Sequence, residues 1–528
     1  MKAGWRWAAA LVMTSAVWAG CKQSSGRDES ERNNPGLDTP RQEDSGTQPP
    51  PPADAGTGVE DGGGTPPPVD AGTQQPPDAG TQQPPDAGTQ QPPDAGTQKP
   101  PPAEEAINFP SPNGWRFFGT QHGGPRRIYG VTSDKSGNVW VAGGEEGLFL
   151  LAPGADAFRR FTMADGLRPY GYMPDGSAPP GEKYLKVISV AGGPADTVFV
   201  GYEGRPGTGP DHCESNWDGI RRDPSRYKSG DADRVTLKAD GTLAVVHYDI
   251  FSGPDVVRDE PEGREKLCNV LRMAYDESTN SIWFGANHGF ARADADFPGN
   301  PLCNGKLRCS GVEEHTHPAL NAYGESGGGV LLTDAYYGVA VHSSGDVFFG
   351  GANRSTRFRY GTAGNFWDAQ TQTEGRAYAD NRIDVWKDAV QEPSMPRPNE
   401  RVDDNVSGMS VLGNSVWVTS FTRGLARMNL DGGDIQYVSV GERMLSAVAA
   451  DPSNDSLWVG ARWLGVVYQV KEGQVRTFGC ATFGTRLCSS RVSDIQVDNH
   501  GGRHRILVGF MGSDENRIPG AIGIYTGN

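Results

Sequence analysis

A short pattern of apolar and polar positions recurs seven times between residues 134 and 510. Each copy has a polar turn, then a strand of small and aromatic residues ending near a glycine, and then a second apolar strand. The first copy covers Asp134 to Leu151. The centres of the copies are Trp140, Phe199, Trp283, Phe348, Trp417, Trp458 and Leu507. Such repeats are typical of β-propellers, in which each four-stranded blade cannot bury its faces alone.

The two ends of this repeat region are complementary. Residues 115–118 (WRFF) match residues 158–161 (FRRF), the outermost strand of the first copy, whereas the last copy has three strands before Asn528. We therefore expect the first segment to supply the missing fourth strand, because closure of the ring removes exposed sheet edges. The prediction is an all-β fold, a seven-bladed β-propeller over residues 108–528 that is closed by an N-terminal strand.

Residues 21–107 have a different composition. The stretch PPDAGTQQ repeats there with a period of eight, at Asp70, Asp78, Asp86 and Asp94, and large apolar side chains are nearly absent. Burial cannot offset the entropy of ordering such a segment, so we predict a disordered, Pro-rich stalk. Two alternatives remain open, namely a ligand for a Pro-recognising module and a stalk glycosylated on its threonines.

Residues 1–20 have the pattern of an export signal. A basic start precedes an apolar run from Trp7 to Trp18 that is too short to span a bilayer. Ala19 and Gly20 before Cys21 resemble a bacterial lipobox, although Trp18 stands where an aliphatic residue is usual. We expect Cys21 to carry a lipid anchor, with a signal peptide cleaved nearby as the alternative. Lys22 favours the outer membrane or cell surface over the inner membrane.

The net charge and the cysteines narrow the class of protein further. The formal net charge is −16, which excludes a nucleic-acid partner because phosphate binding requires a basic surface. We expect a monomer that contacts the membrane through its lipid anchor alone.

The six cysteines other than Cys21 predict disulfides in an exported chain, and six cysteines allow 15 connectivities. Proximity in sequence favours the pairs Cys303–Cys309 and Cys480–Cys488, which leaves Cys213–Cys268 as the long pair.

The repeat resembles the two-component-regulator propeller repeat, whose blades follow the pattern D-x-x-G-x-L/I-W-x-G-T-x-x-G-L. The first copy matches at Asp134, Gly137, Trp140, Gly143, Gly147 and Leu148. The sixth copy matches at Asp451, Leu457, Trp458, Gly460 and Gly465, and the third at Asp276, Trp283, Gly285 and Gly289. The resemblance implies the propeller fold and an extracellular sensing role. It assigns no ligand and no site residue.

The candidate binding residues lie on one predicted face of the propeller. Loops between the second and third strands and segments entering the first strands meet there. They bring together Arg127, Tyr184, Glu203, His288, Tyr336, Arg354, Asn405, Arg423, Arg462, Trp463 and Arg491, with Glu145 and Glu146 beside them. Arginines with aromatics on a concave rim suit a carbohydrate or an anionic group. The alternative is that these arginines pair with neighbouring loop carboxylates and only stabilise the face.

Other motifs do not predict catalysis or a cofactor. Residues 324–328 (GESGG) fit the serine-hydrolase pattern but lack the strand-to-helix elbow that the motif requires. His315 and His317, beside Glu313 and Glu314, could ligate a divalent metal, but no third ligand is identifiable. The pairs Asp294/Asp296 and Asp403/Asp404 lack the spacing of a calcium loop. We predict neither a metal nor a cofactor.

The sequence therefore predicts a cell-envelope lipoprotein that presents a propeller on a stalk for binding a glycan or an envelope protein. The first alternative is an extracellular polysaccharide lyase or hydrolase with its site in the propeller funnel. The second is a sensor module for a separate signalling protein. A histidine and a carboxylate from different blades that meet in the funnel would favour the enzyme, whereas a funnel closed by salt bridges would disfavour it.

Overall fold

The strand pattern folds into seven antiparallel sheets of four strands. The computed structural model describes residues 107–171, 184–206, 229–248, 269–287, 290–299, 312–316, 336–351, 354–359, 383–387, 406–431 and 434–527. These residues belong to one compact unit, Thr97–Asn528. The export signal, Cys21 and the stalk lie outside the described residues, and so do Cys213, Cys268, Cys303 and Cys309.

Each sheet is called a blade, and its strands are numbered along the chain. Blade 1 contains β2 (Gly130–Ser133), β3 (Val139–Ala142), β4 (Leu148–Leu151) and β5 (Arg159–Phe161). Blade 2 contains β6 (Val187–Gly192), β7 (Thr197–Tyr202), β8 (Ala232–Leu237) and β9 (Leu243–Tyr248). Blade 3 contains β10 (Val270–Asp276), β11 (Ser281–Ala286), β12 (Phe290–Asp294) and β13 (Val312–Thr316).

The remaining blades follow in the same way. Blade 4 contains β14 (Tyr336–Val341), β15 (Asp346–Gly351), β16 (Arg354–Arg359) and β17 (Ile383–Lys387). Blade 5 contains β18 (Val406–Leu412), β19 (Ser415–Ser420), β20 (Leu425–Asn429) and β21 (Gln436–Val438). Blade 6 contains β22 (Leu445–Asp451), β23 (Ser456–Ala461), β24 (Val467–Lys471) and β25 (Gln474–Phe478). Blade 7 contains β26 (Val492–Asp498), β27 (Arg505–Phe510), β28 (Ala521–Tyr525) and β1 (Trp115–Gly119). One α-helix, α1 (Cys480–Cys488), precedes β26.

The first strands of the blades form the inner ring of a propeller. Each first strand packs beside the first strand of the next blade, and β26 packs beside β2, so the ring closes. Strand β1 pairs antiparallel with β28, with Trp115 opposite Tyr525 and Gly119 opposite Ala521. The propeller fold and the predicted pairing of the N-terminal strand with the last strand are therefore confirmed. Because β1 covers β28, that edge does not offer free backbone groups.

The repeat centres fill the spaces between blades. The side chains of Trp140, Phe199, Trp283, Phe348, Trp458 and Leu507 are fully buried. Trp417 is only half-buried, because it packs at the margin of the apolar cluster between blades 5 and 6. Close approach of blades also requires glycine at Gly192, where a Cβ atom would lie 1.9 Å from the carbonyl oxygen of Ser133. Burial between neighbouring blades is therefore the main source of stability of the ring.

Polar turns join the first and second strands at what we call the lower end. In blade 1 the carboxylate of Asp134 accepts hydrogen bonds from the Trp140 indole N–H at 2.8 Å and from the Asn138 backbone N–H at 3.1 Å. Burial raises the pKa of Asp134, although the hydrogen bonds from Trp140 and Asn138 oppose that rise. The aspartate of the first repeat copy therefore fixes its own turn to the buried tryptophan rather than facing a ligand.

β-Bulges shape the inner ring. The first strands of blades 2 to 7 each shift register after their opening residue, as between Val270 and Arg272 and between Val492 and Asp494. The residues that follow the bulge are Ser189, Arg272, Gly338, Gly408, Ala447 and Asp494. Most are small, and this leaves space at the axis of the ring. A bulge re-aims the side chains that follow it, and here it places Arg272 and Asp494 at the axis.

Candidate ligand-binding face

The predicted face exists at the upper end, opposite the polar turns. Loops between second and third strands there contact the segments that enter the first strand of the same blade or of the next one. Gly144 and Val187 exchange two backbone hydrogen bonds of 2.9 Å, and the backbone N–H of Glu203 donates to the carbonyl of Lys186 at 2.9 Å. The backbone N–H of Arg462 donates to the carbonyl of Met444, also at 2.9 Å. We call this set of loops the upper face.

The channel beneath the upper face is crossed by an ion pair. Arg272 of blade 3 donates from Nη1 to Oδ1 of Asp494 of blade 7 at 2.6 Å, although these blades are not neighbours. The other oxygen of Asp494 accepts the backbone N–H of Val131 at 3.1 Å. At the lower end Lys135 of blade 1 pairs with Glu277 of blade 3. A ligand at the upper face therefore meets salt bridges across the axis rather than an open channel.

A polar cluster lies on the upper face at blades 1 and 2. Glu203 Oε1 accepts hydrogen bonds from the Tyr184 hydroxyl at 3.1 Å and from Lys186 Nζ at 2.7 Å. Lys186 also lies 5.7 Å from the ring centre of Tyr129. The Lys186 and Glu203 side chains are each 16% exposed, so the pair is largely withdrawn from water.

Electrostatics keep the two tyrosines of this cluster protonated. Burial raises the pKa of Tyr184, and the charge and hydrogen bond of Glu203 raise it further. Burial also raises the pKa of Tyr129, against the opposing effect of the Lys186 charge. A tyrosine that abstracts a proton from a sugar ring would need a lowered pKa. The cluster is therefore not suited to supplying a tyrosinate base.

An aromatic cluster lies on the upper face at blades 4 to 6. The Arg462 guanidinium carbon lies 4.0 Å from the ring centre of Phe421 and 4.8 Å from that of Trp463. Phe421 makes an edge contact with Tyr337 at 5.5 Å between ring centres. Trp463 is 46% exposed and Leu464 is 45% exposed. We call Tyr337, Phe421, Arg462 and Trp463 the aromatic platform.

Helix α1 supports the loop that carries Trp463. The backbone N–H of Gly465 donates to the carbonyl of Cys488 at 3.0 Å. A Cβ atom at Gly465 would lie 2.0 Å from the carbonyl oxygen of Leu487, so only glycine fits against the end of the helix. The predicted disulfide between Cys480 and Cys488 is confirmed, with its Cα atoms 5.0 Å apart. The disulfide therefore closes the helix that packs behind the platform.

Six of the predicted rim residues fall into three groups. Arg462, Trp463 and the exposed Arg423 lie together on the platform side. Tyr184 and Glu203 lie in the polar cluster. Arg127 is directed to its own chain, because its guanidinium donates to the carbonyls of Arg126 and Ile518 and pairs with Asp514. Arg127 therefore stabilises the face through contacts with its own chain, as the alternative interpretation of the rim arginines predicts.

Arg491 lies between the two clusters. Its carbonyl accepts the backbone N–H of Met511 at 2.9 Å, and its side chain is half-buried. Its positive charge lowers the pKa of Tyr129 slightly against the larger effect of burial. Glu145 is exposed beside the polar cluster, and Glu146 caps the backbone N–H of Arg126 at 2.7 Å. Of Glu145, Glu146 and Glu203, Glu145 is therefore the one with the exposed side chain.

Two predicted rim positions need correction. Tyr336 is fully buried, and its ring packs against Phe290 at 5.7 Å and Phe349 at 5.8 Å. A β-bulge after Tyr336 shifts the register, and the next residue, Tyr337, contacts the platform instead. Arg354 belongs to strand β16, opposite Gly351, and not to a loop. His288 and Asn405, as well as the side chain of Arg354, lie outside the described residues.

Several residues of the face were missed from the sequence. Tyr129, Lys186, Tyr337, Phe421, Met444 and Leu464 belong to it but were not singled out. The signal for Phe421 and Leu464 was present, because each is a large apolar residue within a short loop that also holds an arginine. Tyr129 and Tyr337 depend on the bulge or entry geometry of the first strand, which the repeat pattern does not reveal.

The histidine–carboxylate pairs in the described residues are either fully buried or at the lower end. His247 Nδ1 is 2.7 Å from Asp233 Oδ1, but both side chains are fully buried within blade 2. His504 Nε2 is 2.8 Å from Asp451 Oδ2, and this pair joins blades 7 and 6 at the lower end. Within the same part of the chain, no group of three or more His, Cys, Asp or Glu side chains could hold a metal ion. The HxH segment has His315 in β13 and His317 outside the described residues.

Comparisons with known proteins do not indicate a function for this chain. No protein-family model and no curated protein matches this chain. One similar solved structure is titled "Crystal Structure of Mitotic Checkpoint Complex", with 10% identity, a TM-score of 0.44, and coverage of 80% of this chain and 97% of that chain. Another is YCF48 from Cyanidioschyzon merolae, with 12% identity, a TM-score of 0.43, and coverage of 78% and 98%. Likeness at this level says nothing about what the chain binds.

None of the helices in the described ranges combines the length and apolar character needed to cross a bilayer. Membership of the two-component-regulator propeller family stays a prediction, since no family model matches.

Proposed function

We propose that this protein is an exported, lipid-anchored binding module that engages a protein partner through its aromatic platform. The anchor at Cys21 and the stalk are the sequence predictions given above, and they account for presentation of the propeller at an envelope surface. A β-propeller fold is suited to binding partners, because its loops collect on one face of a rigid scaffold.

The observation that carries the proposal is the position of the exposed apolar side chains. Five large hydrophobic residues of the described chain are exposed, and Met444, Trp463 and Leu464 are three of them. These three are joined through Arg462, whose backbone N–H donates to the carbonyl of Met444 and whose guanidinium stacks on Trp463. Tryptophan, arginine and methionine are enriched in protein interfaces, and tryptophan and arginine are frequent among the residues that dominate binding energy. We therefore take this group of exposed apolar side chains as the interaction site.

A protein partner fits this patch better than a glycan does. Sugar-binding aromatics work beside polar groups that receive the sugar hydroxyls. Here the indole of Trp463 adjoins Leu464 in sequence and lies against the Arg462 guanidinium. In the adjoining loop the carboxylate of Glu442 accepts the backbone N–H groups of Arg443 and Met444 at 2.7 and 3.0 Å, so it is occupied by its own loop.

Site-specific photocrosslinking tests the proposal. A photoreactive aromatic residue replaces Leu464 in one variant and Tyr437 in the control, which is exposed to a similar extent on the outer strand β21. After irradiation of the cells that make the protein, the variant at 464 should give an adduct of discrete mass and the control should not. Combining it with Trp463→Ala should remove the adduct. Adducts that form equally at both positions would overturn the proposal.

A thermal-shift screen against oligosaccharides tests the alternative that the upper face binds a glycan instead of a protein. A ligand at 100 times its dissociation constant adds about 2.7 kcal/mol of stability. A shift that is lost in Arg462→Ala, without any protein adduct at position 464, would replace the protein partner with a glycan. The crosslinking assay also covers the sensor alternative, because a membrane signalling protein would be captured as an adduct.

A further inference from the structure

We infer that the partner segment bound at the aromatic platform is acidic, with carboxylate side chains next to a large apolar side chain. This inference rests on the proposed function and adds the chemistry of the bound segment. Its basis is a local excess of arginine on the upper face of blades 5 to 7, in a protein whose formal net charge is −16.

Five upper-face segments form this positive region: residues 420–424, 441–444, 462–465, 480–491 and 511–520. They contain six basic residues, Arg423, Arg443, Arg462, Arg486, Arg491 and Arg517. They contain three acidic residues, Glu442, Asp514 and Glu515, which leaves a net charge of +3. The sign is thus the reverse of that of the whole chain. We call the six arginines the arginine sector.

Contacts between the loops show that the sector is continuous. A Cβ atom built at Gly424 would lie 3.8 Å from the Cα of Arg443, so the loops at 420–424 and 441–444 touch. The second of these loops contacts 462–465 through the hydrogen bond from Arg462 to Met444, and Gly465 contacts Cys488. The guanidinium of Arg486 in turn donates to the carbonyl of Arg517 at 3.2 Å. These contacts place the six arginines on adjoining loops of one face.

The acidic residues of the sector are largely engaged elsewhere. Asp514 pairs with Arg127, and Glu442 caps the N–H groups of its own loop. Arg423 and Arg443 are exposed, and they lie in the loops that carry Phe421 and Met444. A bound carboxylate at this place would gain charge-assisted hydrogen bonds, while an apolar neighbour would cover the exposed indole. The same positive charge would slow the approach of a basic partner.

Binding of a synthetic peptide series to the purified full chain tests the inference. The reference peptide carries several glutamates around one leucine. In a second peptide the glutamates are replaced by glutamine, and in a third the leucine is replaced by serine. The reference peptide should bind at least about tenfold more tightly than either derivative, a difference of about 1.4 kcal/mol. Its affinity should fall as the salt concentration rises, because salt screens exposed charges.

Charge-reversal variants show whether the arginine sector is the part of the protein that binds the acidic peptide. The double variant Arg423→Glu with Arg443→Glu should weaken binding of the acidic peptide at least about tenfold. The matched control, Arg116→Glu, changes an exposed arginine on the outer strand β1 and should leave binding unchanged. Equal binding of acidic and neutral peptides, or no binding by any peptide, would overturn the inference. An adduct at position 464 that survives the double variant would also overturn it and would leave the proposed function intact.

Discussion

Arg272 and Asp494 form a hydrogen-bonded ion pair of 2.6 Å across the axis of the propeller. Asp494 is 2% exposed at its side chain, and it also receives the backbone N–H of Val131 in blade 1. One carboxylate thus connects blades 7, 1 and 3, which are distant in sequence. The pair stabilises the ring from the inside, where the apolar contacts between neighbouring blades do not reach.

Removal of one partner of this pair should destabilise the whole ring. Arg272→Ala leaves the Asp494 carboxylate buried without its guanidinium, and breaking a buried pair in this way costs about 3 kcal/mol or more. Urea unfolding should show a lower midpoint. The control Arg116→Ala removes the exposed pair with Asp156 (3.5 Å) and should change stability by less than about 1 kcal/mol. Equal effects of the two substitutions would contradict a structural role for the axial pair.

Trp115 should be essential for closure of the ring. Its ring packs edge-on against Phe483 at 4.9 Å and Phe478 at 5.5 Å, and it is 5% exposed. Trp115→Ala should cost about 3–5 kcal/mol and favour association through the exposed edge of β28. Thermal unfolding and size-exclusion chromatography measure both effects. Trp463→Ala, which removes a half-exposed indole, should leave the melting temperature nearly unchanged.

The Cys480–Cys488 disulfide should order the platform as well as its own helix. Cross-linking a loop of this size contributes about 2–3 kcal/mol in the chain-entropy model. Replacement of both cysteines by serine should increase amide hydrogen exchange in 462–466, which contacts Cys488, and in 511–520, where Gly512 N–H donates to Ser490 Oγ at 2.8 Å. Exchange in β6 and β7 of blade 2 serves as the internal reference. Unchanged exchange in both loops would show that the helix positions them without its cross-link.

Acid should weaken blade 7 through Asp498. Burial by itself raises the pKa of this carboxyl, but hydrogen bonds from Arg505 and His500 N–H and the charges of Arg505 and Arg503 outweigh burial, so the pKa is lowered. The unfolded value is about 3.9. A lowered pKa contributes stability above that value, and the contribution is lost as the pH falls through the folded pKa. The free energy of unfolding should therefore decline below about pH 4.

The variant Asp498→Asn tests whether Asp498 causes this loss of stability in acid. The variant should be less stable than the parent at pH 7 and should show a shallower loss of stability below about pH 4. Asp156→Asn, at a carboxylate that is 90% exposed, should follow the parent at every pH. If the Asp498→Asn curve runs parallel to that of the parent, the acid sensitivity belongs to other carboxylates, of which Asp451 also has a lowered pKa despite burial.

The fold was predictable because its signal repeats. Each copy of the pattern places one large side chain, such as Trp140 or Phe199, between two blades, and burial there is enforced by the same alternation of residues every time. The β1–β28 pairing was predictable for the same reason, since Trp115 to Phe118 match the outer strand of another blade. The disulfide at Cys480 was predicted from sequence proximity alone.

The candidate site was only partly predictable. Arg462 and Trp463 lie in a loop between two clear strands, and their place on the upper face follows from the topology. Tyr336 and Tyr337 show the limit, because a one-residue bulge buries the first ring and turns the second toward Phe421. Nothing in the composition of that segment indicates which of two adjacent tyrosines will be accessible. The ion pair between Arg272 and Asp494 was equally hidden, since 222 residues separate its partners.

The route by which the chain enters the propeller has a mechanical consequence. Ile107 is buried and its carbonyl accepts the Gln121 side-chain amide at 3.0 Å, while Phe109 stacks on Phe117 at 5.7 Å between ring centres. Residues 107–112 thus adhere to the ring before β1 begins. A force applied to the predicted N-terminal stalk would act first on these contacts and would reach the closing strand β1 only after they yield. Residues 107–112 therefore protect the pairing of β1 with β28, which closes the ring, from force applied at the N-terminal end.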